Sequence, residues 1–152
     1  MSKKNRITII VPAHNEEDNL PTFLEETKKV INGLEDYIWK FIFIDDGSED
    51  STWAVISEMS IVHKNIRGLR LSRNFGKELA LTAGILESTE ELDAVILMDA
   101  DLQHPPSAII QMIKQWKQGF QVVTAQRKSI KYSILRKIGS SFFYFMLNHF
   151  SK

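Results

Sequence analysis

The sequence predicts an α/β protein in which helices cover both faces of a mostly parallel β-sheet. Short apolar runs rich in β-branched residues alternate along the chain with longer segments of helical periodicity. The connections between them are short, as in repeated strand–helix–strand units. Polar and mostly acidic segments follow three of the strands. Together these observations predict a Rossmann-like sheet with a binding site at one edge.

The first half of the chain is predicted to hold three strands and two helices. The first strand is β-branched throughout, and the first helix repeats apolar residues at helical spacing before a glycine ends it. The strands are predicted at Ile7–Val11, Trp39–Ile44 and Ile66–Leu71, and the helices at about Asn19–Ile31 and Thr52–Ser60.

The second half continues the same alternation. A helix ends at Ile85 or Leu86, and a strand that begins at Asp93 is predicted to be buried on both faces because its apolar run is continuous. The elements predicted after it are a helix at Ser107–Gln118, a strand at Phe120–Ala125 and an amphipathic stretch over 132–150.

Composition limits the class of protein. The 152 residues fit one domain, and 43% hydrophobic with 25% charged residues is ordinary for a globular chain. Basic and acidic residues number 19 each, so there is no basic excess to favour nucleic acid binding. The absence of cysteine excludes disulfides, thiol chemistry and cysteine-bound zinc. With no signal-peptide core or membrane-spanning run, we expect a cytoplasmic protein.

An acidic motif closes the fourth strand. Asp99 and Asp101 follow the apolar run, and in extended backbone they would point to the same side, which Gln103 could share. Oxygen ligands suit Mg²⁺ or Mn²⁺, and magnesium is usually held by one or two carboxylates together with substrate phosphates. The motif predicts a metal and diphosphate site. The alternative is that the acids only end the strand and that Pro105 and Pro106 start the next helix.

Polar loops also follow the first two strands, at Pro12–Glu17 and Asp45–Ser51. Because the carboxyl ends of parallel strands meet at one edge, these loops and the acidic motif are predicted to bind a cation and the ribose and base of a nucleotide. One residue of the second loop is expected to cap the next helix. That expectation leaves Asp45 and Asp46 as candidates for the nucleotide.

Four motifs carry a resemblance to a known family: Val11–Glu17, Ile44–Ser48, Ser72–Glu78 and Met98–Pro106. In this order they resemble the family 2 glycosyltransferases of GT-A fold. Within that family the chain is similar to the polyprenyl-phosphate glycosyltransferases related to dolichol-phosphate mannose synthase. Four blocks in register are far more specific than any one, and the resemblance extends from Ile7 to the carboxyl end.

The resemblance implies that the sheet edge binds a UDP- or GDP-sugar. The residues that would hold the divalent metal on the sugar diphosphate are Asp99, Asp101 and Gln103. Those that would contact the base and ribose are Pro12, Glu16 and Asp46. Lys77, at the start of a helix, is either a phosphate ligand or an exposed surface lysine.

The implied acceptor is a polyprenyl phosphate, either undecaprenyl or dolichyl. Arg127 falls where the family places an arginine for the acceptor phosphate, and Lys131 or Arg136 is the candidate for a second basic group. The implied reaction inverts the configuration at the anomeric carbon of the sugar. It needs no strong general base because the acceptor phosphate is already anionic. We therefore expect His14 and His104 to be structural or supporting groups.

The carboxyl-terminal stretch 132–150 interleaves basic and apolar residues. It predicts a helix on the inner face of an anionic membrane, with packing against the sheet as the alternative. Relatives continue beyond the equivalent of Lys152, so the resemblance implies that residues 1–152 are the amino-terminal part of one catalytic domain, truncated at its carboxyl end. Two alternatives stay open, a noncatalytic nucleotide-binding fragment and an enzyme with a polysaccharide acceptor. A nucleotidyltransferase ranks last, since no glycine-rich basic loop follows the first strand.

Overall fold

The computed structural model describes residues 4–88 and 92–125, and within them four strands alternate with four helices. In chain order they are β1 (Asn5–Ala13), α1 (Asn19–Ile31), β2 (Tyr37–Asp45), α2 (Thr52–Val62), β3 (Ile66–Arg70), α3 (Lys77–Glu87), β4 (Ala94–Leu97) and α4 (Ala108–Lys117). The chain divides into two compact units, Met1–Gln121 and Val122–Lys152, and all eight elements lie in the first. The predicted α/β fold is confirmed.

The four strands form one parallel sheet in the order β3-β2-β1-β4. In the centre, Ile9 of β1 is paired with Phe41 of β2 on one side and with Ile96 of β4 on the other. The chain builds the sheet outward from β1 to β3 and then crosses back to place β4 on the free side of β1. Strand order therefore reverses between β1 and β4, and ligands of such sheets bind beyond the carboxyl ends of the strands at that point.

Two apolar layers cover the faces of the sheet. Alternate residues of β1 point to opposite faces, so Ile9 and Val11 join one layer while Ile10 joins the other. The first layer is closed by α1, α2 and α4, and the second by α3, whose Ala80 is fully buried. The largest buried side chains of the first layer are Phe23, Phe41 and Phe43, with Phe23 set edge-on to Phe43. This rigid base fixes the loops at the carboxyl edge.

Two predictions about the sheet are wrong. Phe120–Ala125 forms no strand, and Phe120 and Val122 are 56% and 82% exposed, so this run neither makes ladder hydrogen bonds nor buries its apolar side chains. β4 is also not buried on both faces, because it lies at an edge of the described sheet. Ile96 is 7% exposed on one face, whereas Leu97 is 46% exposed.

Several predictions fall outside the described residues. Arg127, Lys131, Arg136 and the amphipathic stretch 132–150 belong to this group. In the described part of the chain, every helix is too short or too polar to cross a membrane.

Candidate functional site

An open cleft of about 340 Å³ lies at the carboxyl edge of the sheet, where strand order reverses between β1 and β4. It is lined by residues from the ends of three strands and from the segment before α3: Pro12, Ala13, His14, Glu16, Asp46, Asn74, Gly76, Lys77, Asp99, Ala100 and Asp101. Six of the predicted site residues are among them. The topology thus brings together residues that lie up to 89 positions apart, from Pro12 to Asp101.

The loops after β1 and β2 are joined by hydrogen bonds in both directions. Asn15, in the left-handed backbone region at φ 56°, donates its backbone N–H to Ser48 Oγ, and its side-chain oxygen accepts from Glu49 N–H at 2.9 Å. Glu16 N–H donates to Thr52 Oγ1 at 2.8 Å. These bonds fix the wall of the cleft on which the side chain of Glu16 lies.

Asp50 belongs to this loop pair and lies two residues before the start of α2. Its Oδ1 accepts from Thr52 N–H at 2.9 Å, and its Oδ2 accepts from Glu17 N–H at 3.3 Å. Burial alone would raise the pKa of Asp50, but the bonds from Thr52 and Glu17 outweigh it and hold that pKa below its ordinary value. The N-cap position of α2 is Ser51, whose side chain makes no capping hydrogen bond, and Asp50 satisfies an N–H of the first turn from the residue before it.

Asp46 is buried and ties the loop after β2 to the segment before α3. Its Oδ1 accepts from Phe75 N–H at 2.8 Å and its Oδ2 from Gly76 N–H at 2.9 Å. Its own backbone N–H donates to Ala13 O at 2.8 Å. Hydrogen bonds to a buried carboxylate are strong, so Asp46 holds three cleft-forming segments together.

Gly47 allows the same two segments to meet closely. Its φ is 65°, and a Cβ at this position would lie 2.2 Å from the carbonyl carbon of Arg73 and 2.4 Å from Asn74 N. No side chain fits between two backbones at that distance. The glycine after the Asp45–Asp46 pair is therefore required both for its backbone conformation and for this contact.

Asp45 does not line the cleft. It is fully buried, and its Oδ1 accepts from Ser48 N–H at 2.9 Å. Its Oδ2 forms an ion pair with Arg70 Nε at 3.2 Å without hydrogen-bond geometry. These contacts give Asp45 a structural task at the end of β2.

Asp99 and Asp101 face the cleft, and their carboxylates make fewer contacts with the protein than that of Asp46 does. Asp99 Oδ1 lies 2.6 Å from Lys77 Nζ, and Asp101 Oδ1 accepts from Gln103 N–H at 2.9 Å. No described residue hydrogen-bonds to or pairs with the second oxygen of either carboxylate. Two carboxylates with available oxygens fit a divalent ion that takes its remaining ligands from phosphate and water.

The described residues contain no group of three or more histidine, aspartate or glutamate side chains placed to hold a metal. A site at Asp99 and Asp101 would therefore be incomplete without ligands from the substrate. That is the arrangement magnesium adopts in many phosphate-processing sites, where dedicated all-protein cages are unusual.

His14 lines the cleft but is held by the loop beside it. Its Nδ1 lies 3.0 Å from Asp46 O, which can only accept, so Nδ1 carries the proton in this contact. Its Nε2 accepts from Asn15 Nδ2 at 3.4 Å. Both ring nitrogens are engaged, as expected for a structural histidine.

The family of this chain is decided by its sequence profile. The profile of Glycosyl transferase family 2 matches residues 8–152, which is nearly the whole chain. The chain belongs to glycosyl transferase family 2.

Curated relatives of this family 2 chain carry glycosyltransferase names. The putative glycosyltransferase CsbB of Bacillus subtilis is 38% identical over 96% of the chain and 44% of its own length. The undecaprenyl-phosphate 4-deoxy-4-formamido-L-arabinose transferase of Proteus mirabilis is 34% identical over 91% of the chain and 42% of its own length. The bactoprenol glucosyl transferase of Shigella phage SfX is 38% identical over 80% of the chain and 39% of its own length. The chain thus spans less than half the length of these relatives.

Solved structures support the GT-A fold of this family 2 chain. The mannosyltransferase PcManGT from Pyrobaculum calidifontis, in complex with GDP-Man and Mn²⁺, aligns with a TM-score of 0.55 and 22% identity over 66% of the chain and 28% of its own. S. aureus TarS in complex with UDP aligns with a TM-score of 0.56 and 18% identity over 82% of the chain and 40% of its own. At these identities the likeness concerns the fold.

Two predicted residues of the family 2 site, Asp45 and Gln103, are described but do not line the cleft. Gln103 is exposed and reaches the acidic motif through its backbone N–H, and His104 is half-buried outside the lining. Arg127 lies outside the described residues.

The sequence reasoning missed one part of the wall. Asn74 and Gly76 line the cleft, and Asn74 Oδ1 accepts from Gly76 N–H at 2.9 Å. The signal available was the asparagine followed two residues later by a glycine, which is a turn pattern. Gly76 does adopt a positive φ of 93° at the start of α3.

Proposed function

We propose that this chain carries the donor site of a glycosyltransferase that moves a sugar from a nucleotide diphosphate to a polyprenyl phosphate. The observation that carries the proposal is the pair Asp99 and Asp101, which face the cleft at the strand reversal with one oxygen each uncommitted. Glu16 and Lys77 line the same cleft. The names of two relatives, an undecaprenyl-phosphate sugar transferase and a bactoprenol glucosyl transferase, support the acceptor class.

In this proposal Asp99 and Asp101 hold the donor through a divalent ion, Mg²⁺ or Mn²⁺. When bound, the ion would neutralise the charge that develops on the leaving diphosphate. Electrostatics favour such an arrangement, because Glu16, Asp46, Asp99 and Asp101 all line the cleft and would repel a diphosphate arriving without a cation.

The nucleoside of the donor is assigned to the wall formed by the end of β1. Pro12 and Glu16 lie there, and the hydrogen bond from Glu16 N–H to Thr52 fixes the backbone that presents the glutamate. The Glu16 carboxylate accepts from Asn19 Nδ2 at 2.6 Å, so its orientation is set before any ligand arrives. A carboxylate in this position would accept hydrogen bonds from ribose hydroxyls.

The acceptor half of the reaction is assigned to Arg127 and to residues after it. An arginine would hold the acceptor phosphate by paired hydrogen bonds. That phosphate would attack the anomeric carbon of the sugar from the side opposite the leaving diphosphate. The attack would invert the configuration of that carbon and would require no proton acceptor. The reaction would take place at the inner face of a membrane, with 132–150 against the lipid.

Titration calorimetry with UDP and with GDP, each with and without Mn²⁺, tests the donor half. We expect one nucleotide to bind in the presence of Mn²⁺ and to lose at least about ten-fold in affinity in Asp101→Asn, which removes the charge of one metal ligand. Asp36→Asn, an exposed aspartate in the turn before β2, is the matched control and should bind as the original chain does. Binding by neither nucleotide, or equal binding by Asp101→Asn, would refute the donor site.

A turnover assay tests the acceptor half. Sugar-nucleotide donors are supplied with undecaprenyl phosphate in detergent, and release of the nucleoside diphosphate is followed. Release that depends on both the lipid and Mn²⁺ is expected from a chain extended to the length of its relatives. Metal-dependent nucleotide binding with no release from the extended chain would favour a noncatalytic nucleotide-binding protein, and release that requires a polysaccharide would replace the acceptor class.

A further inference from the structure

The ion pair between Lys77 and Asp99 joins the cleft's cation to one of its proposed metal ligands. Lys77 Nζ lies 2.6 Å from Asp99 Oδ1, and the two side chains are 54% and 30% exposed. Among the described residues that line the cleft, Lys77 is the one lysine or arginine. An ammonium group therefore neutralises a carboxylate that the metal would also need.

The backbone of Lys77 is fixed while its side chain remains free to change partner. The two preceding amides, Phe75 N–H and Gly76 N–H, are both held by the carboxylate of Asp46. Lys77 itself begins α3, so its Cα cannot leave the cleft wall without breaking these bonds. Its four-carbon side chain is flexible and half exposed, and an ammonium can exchange one oxygen partner for another at little cost.

The charges of the cleft make such an exchange favourable only when the donor is present. Without a diphosphate, a divalent ion on the second oxygen of Asp99 would lie close to the ammonium of Lys77 on the first oxygen, and the two cations would repel each other. With a diphosphate bound, the phosphate oxygens offer Lys77 a new partner of higher charge, which leaves Asp99 to the metal.

We propose that Lys77 is a positioning residue that holds Asp99 as long as no donor is bound and transfers to the donor diphosphate when the metal binds. This inference rests on the proposed function. Its consequence is that metal and nucleotide bind cooperatively. The nucleotide draws Lys77 away from Asp99, which favours the metal, and the metal displaces Lys77 from Asp99, which leaves it available to the diphosphate. By linkage, the factor by which nucleotide tightens the metal equals the factor by which metal tightens nucleotide.

The experiment measures Mn²⁺ affinity with and without nucleotide in Lys77→Met and in a control. The signal of free hydrated Mn²⁺ in electron paramagnetic resonance gives the affinity without any turnover. In Lys77→Met, Mn²⁺ alone should bind about two- to five-fold more tightly, the change expected for losing a partly exposed ion pair. The tightening of Mn²⁺ by UDP or GDP should fall by at least the same factor.

Three further variants are the controls that separate this mechanism from a general charge effect. Lys64→Met removes the same charge from an exposed position between α2 and β3 and should leave both affinities unchanged. Lys77→Arg keeps a cation beside Asp99 and should retain weak binding of Mn²⁺ alone. Lys77→Gln repeats the Met experiment with a polar side chain, and thermal unfolding verifies that each variant folds.

The outcomes distinguish this inference from the proposed function. If the original chain binds no Mn²⁺ with either nucleotide, both proposals are overturned. If it binds the metal and nucleotide together but Lys77→Met and Lys77→Gln bind Mn²⁺ alone no more tightly than it does, only the exchange by Lys77 is overturned. Equal tightening in Lys64→Met would overturn it as well, since the effect would then be one of net charge.

Discussion

Replacing Asp46 with asparagine should destabilise the fold more than any other single charge removal in the cleft. The two carboxylate oxygens accept from Phe75 N–H and Gly76 N–H, and the residue is 3% exposed. An asparagine keeps one acceptor oxygen but turns an NH₂ group toward the other amide, so one bond to a carboxylate is lost and the other no longer goes to a charged acceptor, while Gly76 N–H keeps its bond to Asn74 Oδ1. With hydrogen bonds to charged groups worth about 1.5–3 kcal/mol, we expect a loss of about 2–4 kcal/mol in the free energy of unfolding.

Urea unfolding followed by tryptophan fluorescence measures this loss. At a slope of about 2 kcal/mol per molar urea, the midpoint should fall by about 1–2 M without a change in slope. Asp99→Asn is the control, because a partly exposed ion pair contributes at most about 1 kcal/mol. A midpoint for Asp46→Asn within about 0.3 M of the original chain, or a larger fall for Asp99→Asn, would refute the reasoning. If Asp46 served only the nucleotide, its replacement would abolish binding and leave the midpoint unchanged.

The remaining predictions concern the loops around the cleft. Gly47→Ala should cost more than about 2 kcal/mol in urea unfolding, since its Cβ would meet the Arg73 backbone at 2.2 Å in a left-handed conformation; a smaller cost would mean that the loops can separate. Thr52→Val should cost about 1–2 kcal/mol, because it leaves Glu16 N–H unpaired, and Thr52→Ser should restore most of that loss. Asp50→Asn should reduce the loss of folding stability that occurs when the pH is lowered from 7 to 3. The pKa of Asp50 is lowered in the folded chain, so its stabilisation is present above its ordinary value of 3.8 and is lost as the pH falls. Urea midpoints at pH 7 and pH 3 measure the difference, and an equal acid loss in Asp50→Asn would contradict the assignment.

The elements that the sequence predicts well are those whose signal is local. α1 begins and ends at the residues predicted, Asn19 and Ile31, because its apolar spacing places Leu20, Phe23 and Leu24 on one buried face. The strands β1 and β2 extend a little beyond the predicted runs at both ends, since their pairing with each other continues from Asn5 and Tyr37 to Ala13 and Asp45. The position of the cleft was also predictable, because it follows from strand alternation and from the side on which polar loops emerge.

The strand predicted at Phe120–Ala125 shows what a local signal lacks. Its residues have high β-propensity, but a strand exists only when its N–H and C=O groups meet those of a neighbour. In the described sheet β4 is an edge, and no other described segment pairs with its outer side. The same edge position explains the exposure of Leu97, which its hydrophobicity alone would place in the core.

The acidic residues at the sheet edge show why a sequence motif does not determine the role of each residue in it. In the sequence, Asp46, Asp50, Asp99 and Asp101 all follow strands, and nothing in the sequence shows which of these carboxylates accept hydrogen bonds from the protein's own backbone. In the structure the first two are saturated by backbone N–H groups, and the partners that saturate Asp46 are 29 and 30 residues away. No pattern within a loop can reveal a hydrogen bond of that separation.

A carboxylate can bind a metal well only with oxygens that the protein does not already use. Of the acids at the sheet edge, Asp99 and Asp101 are therefore the candidate metal ligands. Asp46 instead fixes the backbone that keeps Lys77 within reach of Asp99. The two groups of acids are then complementary. Those bound by backbone amides fix the geometry of the cleft, and those left open supply its charge.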